Sequence, residues 1–275
     1  MQEATRHEIE VREITGRTRV FAILADPIAQ VKAPQGLNRI MAERGVDGVM
    51  VPLHVAAADL ATVLAGLRGV QSFGGAIITV PHKTAIVPLL DQVSEAARLV
   101  GAVNAVRREA DGRLVGEILD GAGFVAGLKS AGYDPRGRSA YLAGAGGAAN
   151  AIAFALAEAG VSRLTVHNRT AARVEDLFAR LRRLVPDLTL TLGTPDPARH
   201  DLVVNATSLG LRPDDALPLD PSGLTPDQLV AEIIMQPAET PLLAAAAARG
   251  CRTHPGWPML EGQLALMADF LRMRP

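Results

Sequence analysis

Tyr141-Leu142-Ala143-Gly144-Ala145-Gly146-Gly147-Ala148-Ala149 is a short apolar run that enters a glycine turn and leaves it as a helix. The spacing Gly144, Gly146, Ala149 fits G-x-G-x-x-G/A. In that pattern the first position permits a tight turn, the second lets the backbone approach a pyrophosphate, and the third packs helix on strand. The free N–H groups and the dipole of a helix start favour a phosphate. A glycine turn alone carries little weight, but here a strand precedes it and a helix follows. The stretch therefore predicts the opening of a dinucleotide-binding domain, with Gly144, Ala145, Gly146, Gly147 and Ala148 around the pyrophosphate.

Downstream, strands are expected at residues 163–168, 188–192, 201–206 and 229–235, and helices at 148–159, 171–184 and 244–248, the last closed by Gly250. Strands alternating with helices predict a doubly wound sheet. Upstream, apolar runs at 20–25, 48–53 and 75–80 are each followed by helical periodicity, the pattern of βαβ units. Residues 104–108 and 113–119 read as two strands around Asp111-Gly112, and 120–132 as a helix before the turn-rich Tyr133-Asp134-Pro135-Arg136-Gly137. The expected fold is α/β with two domains. Residues 1–125, with a C-terminal helix at about 255–275, form a substrate domain around a mixed, mainly parallel sheet; residues 126–254 form a Rossmann-type doubly wound nucleotide-binding domain.

A chain of 275 residues has room for two such domains. Apolar residues at 48% with aromatics at only 3% imply a core of Ala, Val, Leu and Ile, as in helix-covered parallel sheets. A net charge of −1 and a pI near 6.6 lack the footprint of a nucleic-acid binder, and the arginines at 180, 182 and 183 read as a solvated face. The partner expected is a small molecule, a cyclic hydroxy acid or polyol, with monomer and homodimer both open. The single cysteine, Cys251, reads as buried packing and allows neither an intrachain disulfide nor a cysteine zinc site, so a reducing, cytoplasmic setting is expected. The polar start at residues 1–8 and the lack of any apolar stretch of about eighteen residues give no sign of export or membrane spanning. The six histidines lack ligand spacing, and no metal is expected.

His167-Asn168-Arg169-Thr170 ends the second strand of the glycine-turn domain, and Arg173 follows one helical turn later. An NAD site usually has a carboxylate here for the ribose 2′-OH, whereas an arginine neutralises a 2′-phosphate. NADP is the expected cofactor; NAD stays possible if Arg169 and Arg173 are only exposed helix-start residues.

In the first domain, Gly75-Ala76-Ile77-Ile78-Thr79-Val80-Pro81-His82-Lys83 sets a lysine just past the C-terminal end of a strand, the edge where ligands collect in open α/β sheets. Asp120 opens the helix that follows the last strand of that domain, either as an N-cap or as a catalytic group. Together with Ala25-Asp26-Pro27-Ile28, Pro34 and Asn38, Gly101-Ala102-Val103-Asn104, Gly116 and Asp120-Gly121-Ala122-Gly123, these residues resemble the shikimate dehydrogenase family. The resemblance continues through Asn168-Arg169-Thr170, Asn205-Ala206-Thr207-Ser208-Leu209-Gly210, Gln236-Pro237, Thr240-Pro241-Leu242 and Met259-Leu260 with Gln263, covering nearly the whole chain.

That resemblance implies that Lys83 and Asp120 act at the reacting hydroxyl while hydride passes to or from a nicotinamide. It implies substrate contacts from Thr79, Asn104 and Gln263. It places Asn168, Arg169, Thr170, Arg173, Thr207, Ile233 and Gly256 beside the glycine turn at the cofactor, with Glu95 a further candidate. The pattern departs where the family holds its substrate. Two loop serines are replaced by Val31 and Ala33, an asparagine by Ile77, an Asn-Thr pair by Ile118-Leu119 and a tyrosine by Met235. Lys32 and Gln30 are the polar groups left to substitute for the lost hydroxyls. Shikimate or quinate is the default substrate, a less polar cyclic alcohol the competitor, and a non-catalytic NADP-binding sensor the alternative of another class. A glutamyl-tRNA reductase-like enzyme would need a cysteine nucleophile in the first domain, and the sole cysteine is at 251.

Overall fold

A computed structural model describes residues 13–275; the polar start at residues 1–8 lies outside the described residues. β1 (Arg19–Ala25), β2 (Gly48–His54), β3 (Phe73–Ile78), β4 (Gln92–Val93), β5 (Ala105–Arg108) and β6 (Leu114–Glu117) form the first of two six-stranded sheets, in the order β2-β1-β3-β5-β6-β4. β1 pairs in parallel with β2 and β3, and β4 with β6, while β5 runs antiparallel to both its neighbours. Phe21 to Ala25 of β1 are all buried, which is why that strand reads as a continuous apolar run.

The second sheet holds β7 (Ser139–Ala143), β8 (Arg163–His167), β9 (Thr189–Leu192), β10 (Leu202–Asn205), β11 (Leu229–Glu232) and β12 (Arg252–His254). Its order is β12-β11-β10-β7-β8-β9, with every pairing parallel. The winding reverses between β7 and β10, and a doubly wound sheet binds its ligand in the crevice at that point. The chain is thus an α/β protein of two domains, a mixed sheet followed by a Rossmann sheet.

The helices are α1 (Ala33–Glu43), α2 (Leu60–Gly69), α3 (Glu95–Val100), α4 (Asp120–Ser130), α5 (Gly147–Glu158), α6 (Ala171–Leu184), α7 (Pro241–Ala248) and α8 (Trp257–Phe270). α6 shows why periodicity finds them: Val174, Leu177, Phe178 and Leu181 recur on one face and are all buried. α7 starts at Pro241, earlier than expected, because the Thr240 hydroxyl caps it by accepting from the Leu243 N–H.

Three expectations change. No α-helix follows β3; turns and a 3-10 segment, Val87–Leu89, lead instead to β4. The ring of His82 binds the Val55 carbonyl and the Lys83 carbonyl accepts from Val103 N–H, so tertiary partners set that backbone. β11 stops at Glu232 rather than running to 235, because the Ile233 and Ile234 N–H groups donate to the Glu232 carboxylate. Finally, the expected division at 125/126 falls inside α4, which packs on α5 of the second sheet's layer and on α8. α8 also meets α1 and β5.

Candidate active site and cofactor cleft

Asp120 is the first residue of α4, and its carboxylate gathers three N–H donors. Lys83 Nζ donates to Oδ2 at 2.6 Å, and Asn104 Nδ2 to Oδ1 at 2.9 Å. The Gln263 side-chain amide donates to the same Oδ1 from α8. Asn104 is itself held. The Asn104 N–H donates to Glu117 O and its carbonyl accepts from Ile78, locking it between β6 and β3, while its Oδ1 accepts from Leu119 N–H. The side chain of Asp120 is 8% exposed and that of Lys83 29%, so the carboxylate lies at the floor and the amine at the mouth.

Glycines let the helices come close enough for this. A Cβ on Gly123 would lie 2.7 Å from Gln263 Cβ and one on Gly262 2.7 Å from Gly123 O, so α4 and α8 meet backbone to backbone. On the other flank, a Cβ on Gly121 would run into the Ala151 carbonyl of α5.

The pair faces a cavity of about 280 Å3. Every residue expected on the substrate side lines it: Val31, Ala33, Thr79, Asn104, Met235 and Gln263, together with Lys83 and Asp120. Ile23, Ile77, Leu260 and Met267 add to its apolar wall, and Gln30 and Lys32 also border it. Of these, Ile23 and Met267 carried no signal in the sequence, being apolar residues of elements whose burial alone would explain them.

A second cavity of about 370 Å3 lies at the switch point, lined by Gly144, Ala145, Gly146, Asn168, Arg169 and Thr207 among others. Gly144 has φ +114, and a Cβ there would lie 2.9 Å from Ala206 O, so the turn needs glycine. Nothing lies within 4 Å of a Cβ built on Gly146 or Gly147, and α5 has no side-chain cap. The first turn of α5 thus offers N–H groups to open space, as a pyrophosphate requires. Arg169 lines this cavity, and among the described residues no carboxylate forms an ion pair with it.

A third cavity, about 580 Å3, joins the other two. It shares Gln30, Lys32 and Met235 with the first and Gly146, Thr207 and Ser208 with the second, and it adds Gly147, Ala148, Ile233 and Trp257. The loop after β10 is built from within. Asn205 Oδ1 accepts from the N–H and hydroxyl of Thr207, and Asn205 Nδ2 donates to Leu209 O and to the buried Glu232 carboxylate. Burial pushes the Glu232 carboxyl upward against the donors Asn205, Ile234, Ile233 and Thr240. Sequence reading missed Glu232 and Trp257; a fully buried acid ending a strand is visible only once the strand's place in the sheet is known.

Some candidates stand apart. Thr170 and Arg173 begin α6 but do not line the cavities. Gly256 does not line them either; it precedes α8, where a Cβ would meet the Ile233 and Ile234 backbones. Glu95 caps nothing in the cleft and pairs with Arg98 on the surface at 3.1 Å. Cys251 is buried, as packing predicts. Among the described residues no cluster of His, Cys, Asp and Glu could hold a metal, and no helix is long and apolar enough to cross a membrane.

A Rossmann crevice that opens through one continuous cleft onto a lysine–carboxylate pair defines a dinucleotide-linked dehydrogenase. Residues 23–106 match the shikimate dehydrogenase substrate binding domain, and residues 129–209 match shikimate / quinate 5-dehydrogenase. Shikimate dehydrogenase (NADP(+)) of Geobacter metallireducens is 40% identical over 266 residues, covering 92% of each chain. The chain belongs to the shikimate dehydrogenase family. Among solved structures, shikimate 5-dehydrogenase of Listeria monocytogenes in complex with shikimate and NAD superposes with a TM-score of 0.89 at 32% identity, covering 96% of this chain and 95% of that one. The ligand-free 5-ketofructose reductase of Gluconobacter sp. strain CHM43 gives 0.86, also at 32% identity, covering 94% and 95%.

Proposed function

We propose that the chain catalyses NADP-linked interconversion of a ring secondary alcohol and its ketone, with Lys83 and Asp120 as the proton-handling pair. The observation that carries this is the 2.6 Å contact between Lys83 Nζ and Asp120 Oδ2 in the lining of a cavity that opens onto the glycine turn. NADP, when bound, supplies the hydride acceptor for oxidation and the donor for reduction. As the hydroxyl becomes a carbonyl, its proton passes to Lys83, whose amine is held in line by Asp120. Asn104 and Gln263 fix Asp120 rather than leaving it to swing, and Thr79, with no side-chain partner among the described residues, is free to orient a substrate hydroxyl. The first domain binds substrate, and the glycine-turn domain binds cofactor through Gly144–Ala148, Asn168, Arg169 and Thr207. The names of the curated relatives make shikimate and quinate the first compounds to assay.

Replacing Lys83 by Ala should lower kcat about a hundredfold or more while NADP affinity stays within about threefold, since the amine does not touch the dinucleotide. Near-normal turnover by Lys83→Ala would sink the assignment. A non-catalytic NADP sensor has no need of a buried carboxylate held by three donors beside an amine, so no observation favours it.

A further inference from the structure

Resting on the hydride-transfer function above, we infer that the substrate bears no carboxylate on the side facing Val31 and Ala33 and is a neutral ring, a cyclic diol or hydroxyketone. The cavity has two unlike sets of lining residues. Lys83, Asn104 and Gln263 all donate to Asp120, and Thr79 lines the cavity with them. Against these, Ile23 and Ile77 lie side by side in register on β1 and β3, and Val31, Ala33 and Met267 belong to the same apolar cluster.

The side chains of that wall carry no donor for an anion. The Val31 N–H donates to Ile28 O at 3.2 Å, and Pro34 in the first turn of α1 has no N–H to offer. The Gln30 amide nitrogen donates to Pro27 O at 2.6 Å, which commits one of its two N–H groups to the loop's own backbone. Lys32 borders both the substrate and the cofactor cavities, but it is exposed, and a water-screened ammonium compensates little for desolvating an acid against aliphatic groups. A ring edge of C–H groups meets that wall at no such cost. At about 280 Å3 the cavity sits at the small end of ligand sites, the size for one substituted ring.

The test compares shikimate with its methyl ester, which keeps the ring hydroxyls and removes the charge. Binding to the NADP+-saturated protein would be read by calorimetry and turnover by NADPH absorbance. The ester should bind at least tenfold more tightly than the acid and be preferred to the same degree in kcat/KM. Installing Val31→Ser with Ala33→Ser should improve the acid tenfold or more and leave the ester within about threefold, because two hydroxyl donors then meet the carboxylate. Equal or tighter binding of the acid to the wild type overturns the inference, as does a tenfold loss confined to the acid in Lys32→Ala, which would make Lys32 the carboxylate's partner. If the ester binds more tightly yet neither compound is reduced or oxidised, the neutral pocket stands and the hydride-transfer function falls.

Discussion

At position 169 a guanidinium stands just past β8, where an NAD site carries an acid, and it lines the same cavity as the glycine turn. Arg169→Ala should therefore weaken NADP by about 1.5–3 kcal/mol, the range for a charged hydrogen bond, and barely change NAD. Equal losses in the two titrations would show that this side chain does not read the 2′-phosphate. Glu232 makes a different prediction. Burial lifts its carboxyl above the ordinary 4.5. The folded chain then holds the proton more tightly than the unfolded chain, so the stability Glu232 contributes is full below about pH 4.5 and is lost as pH rises through the folded value. Glu232→Gln cannot titrate. Denaturant melts across that window should show wild type losing ground to the variant as pH rises, and a pH-independent difference would refute the account.

Among the elements, α4 and α8 are joined by glycines, and the effect of adding a methyl depends on where it lands. In Gly123→Ala the new group would crowd Gln263 Cβ and Met259 O, pushing α8 back and drawing the Gln263 amide off Asp120. Thermal unfolding should register a loss of about 1–3 kcal/mol, and kcat should fall with NADP affinity intact. Gly66 in α2 has open space around it, so Gly66→Ala should instead stabilise by about 0.5–1 kcal/mol. A variant at 123 as stable and active as wild type would mean the helices do not need their contact. None of this was legible beforehand, because a glycine in a helix looks like weak propensity until its neighbour is known. The same limit explains the elements that sequence missed. β4 has two residues and α3 six, too few for a period, and β12 exposes Arg252 and Thr253, so it lacks an apolar run. β1, β7 and α6 were legible because burial on both faces of a strand, or on one face of a helix, writes itself into the residue pattern.

Across the whole molecule the cleft brings together groups far apart in the chain. Lys83, Asp120 and the glycine turn were legible because each sits at the end of a strand or the start of a helix, where local pattern and family order both speak. The apolar wall was only partly legible, since Ile23 comes from β1 and Met267 from α8 and each has an ordinary packing explanation alone. Trp257, the only tryptophan, is 49% exposed at the joining cavity and donates to Glu261 at 2.9 Å. NADP+ should change its fluorescence saturably, and Gly144→Val, which blocks the turn against Ala206, should abolish that change. A signal unaffected by the Gly144 variant would place the dinucleotide elsewhere.

α4 works as a fulcrum. Its first residue carries the carboxylate of the proposed proton-handling pair, one flank is seated on α5 through Gly121, and the other on α8 through Gly123 and Gly127. If one sheet tilts against the other, displacement grows with distance from that axle, so the lips of the cleft at Lys32 and Trp257 travel far while Asp120 hardly moves. A tilt of that kind would leave the Asp120 carboxylate beside the axle. Val31 and Ala33 stand on none of the elements that hydrogen-bond to that carboxylate, so exchanging them for other side chains should alter which ring is accepted while Asp120 keeps its partners.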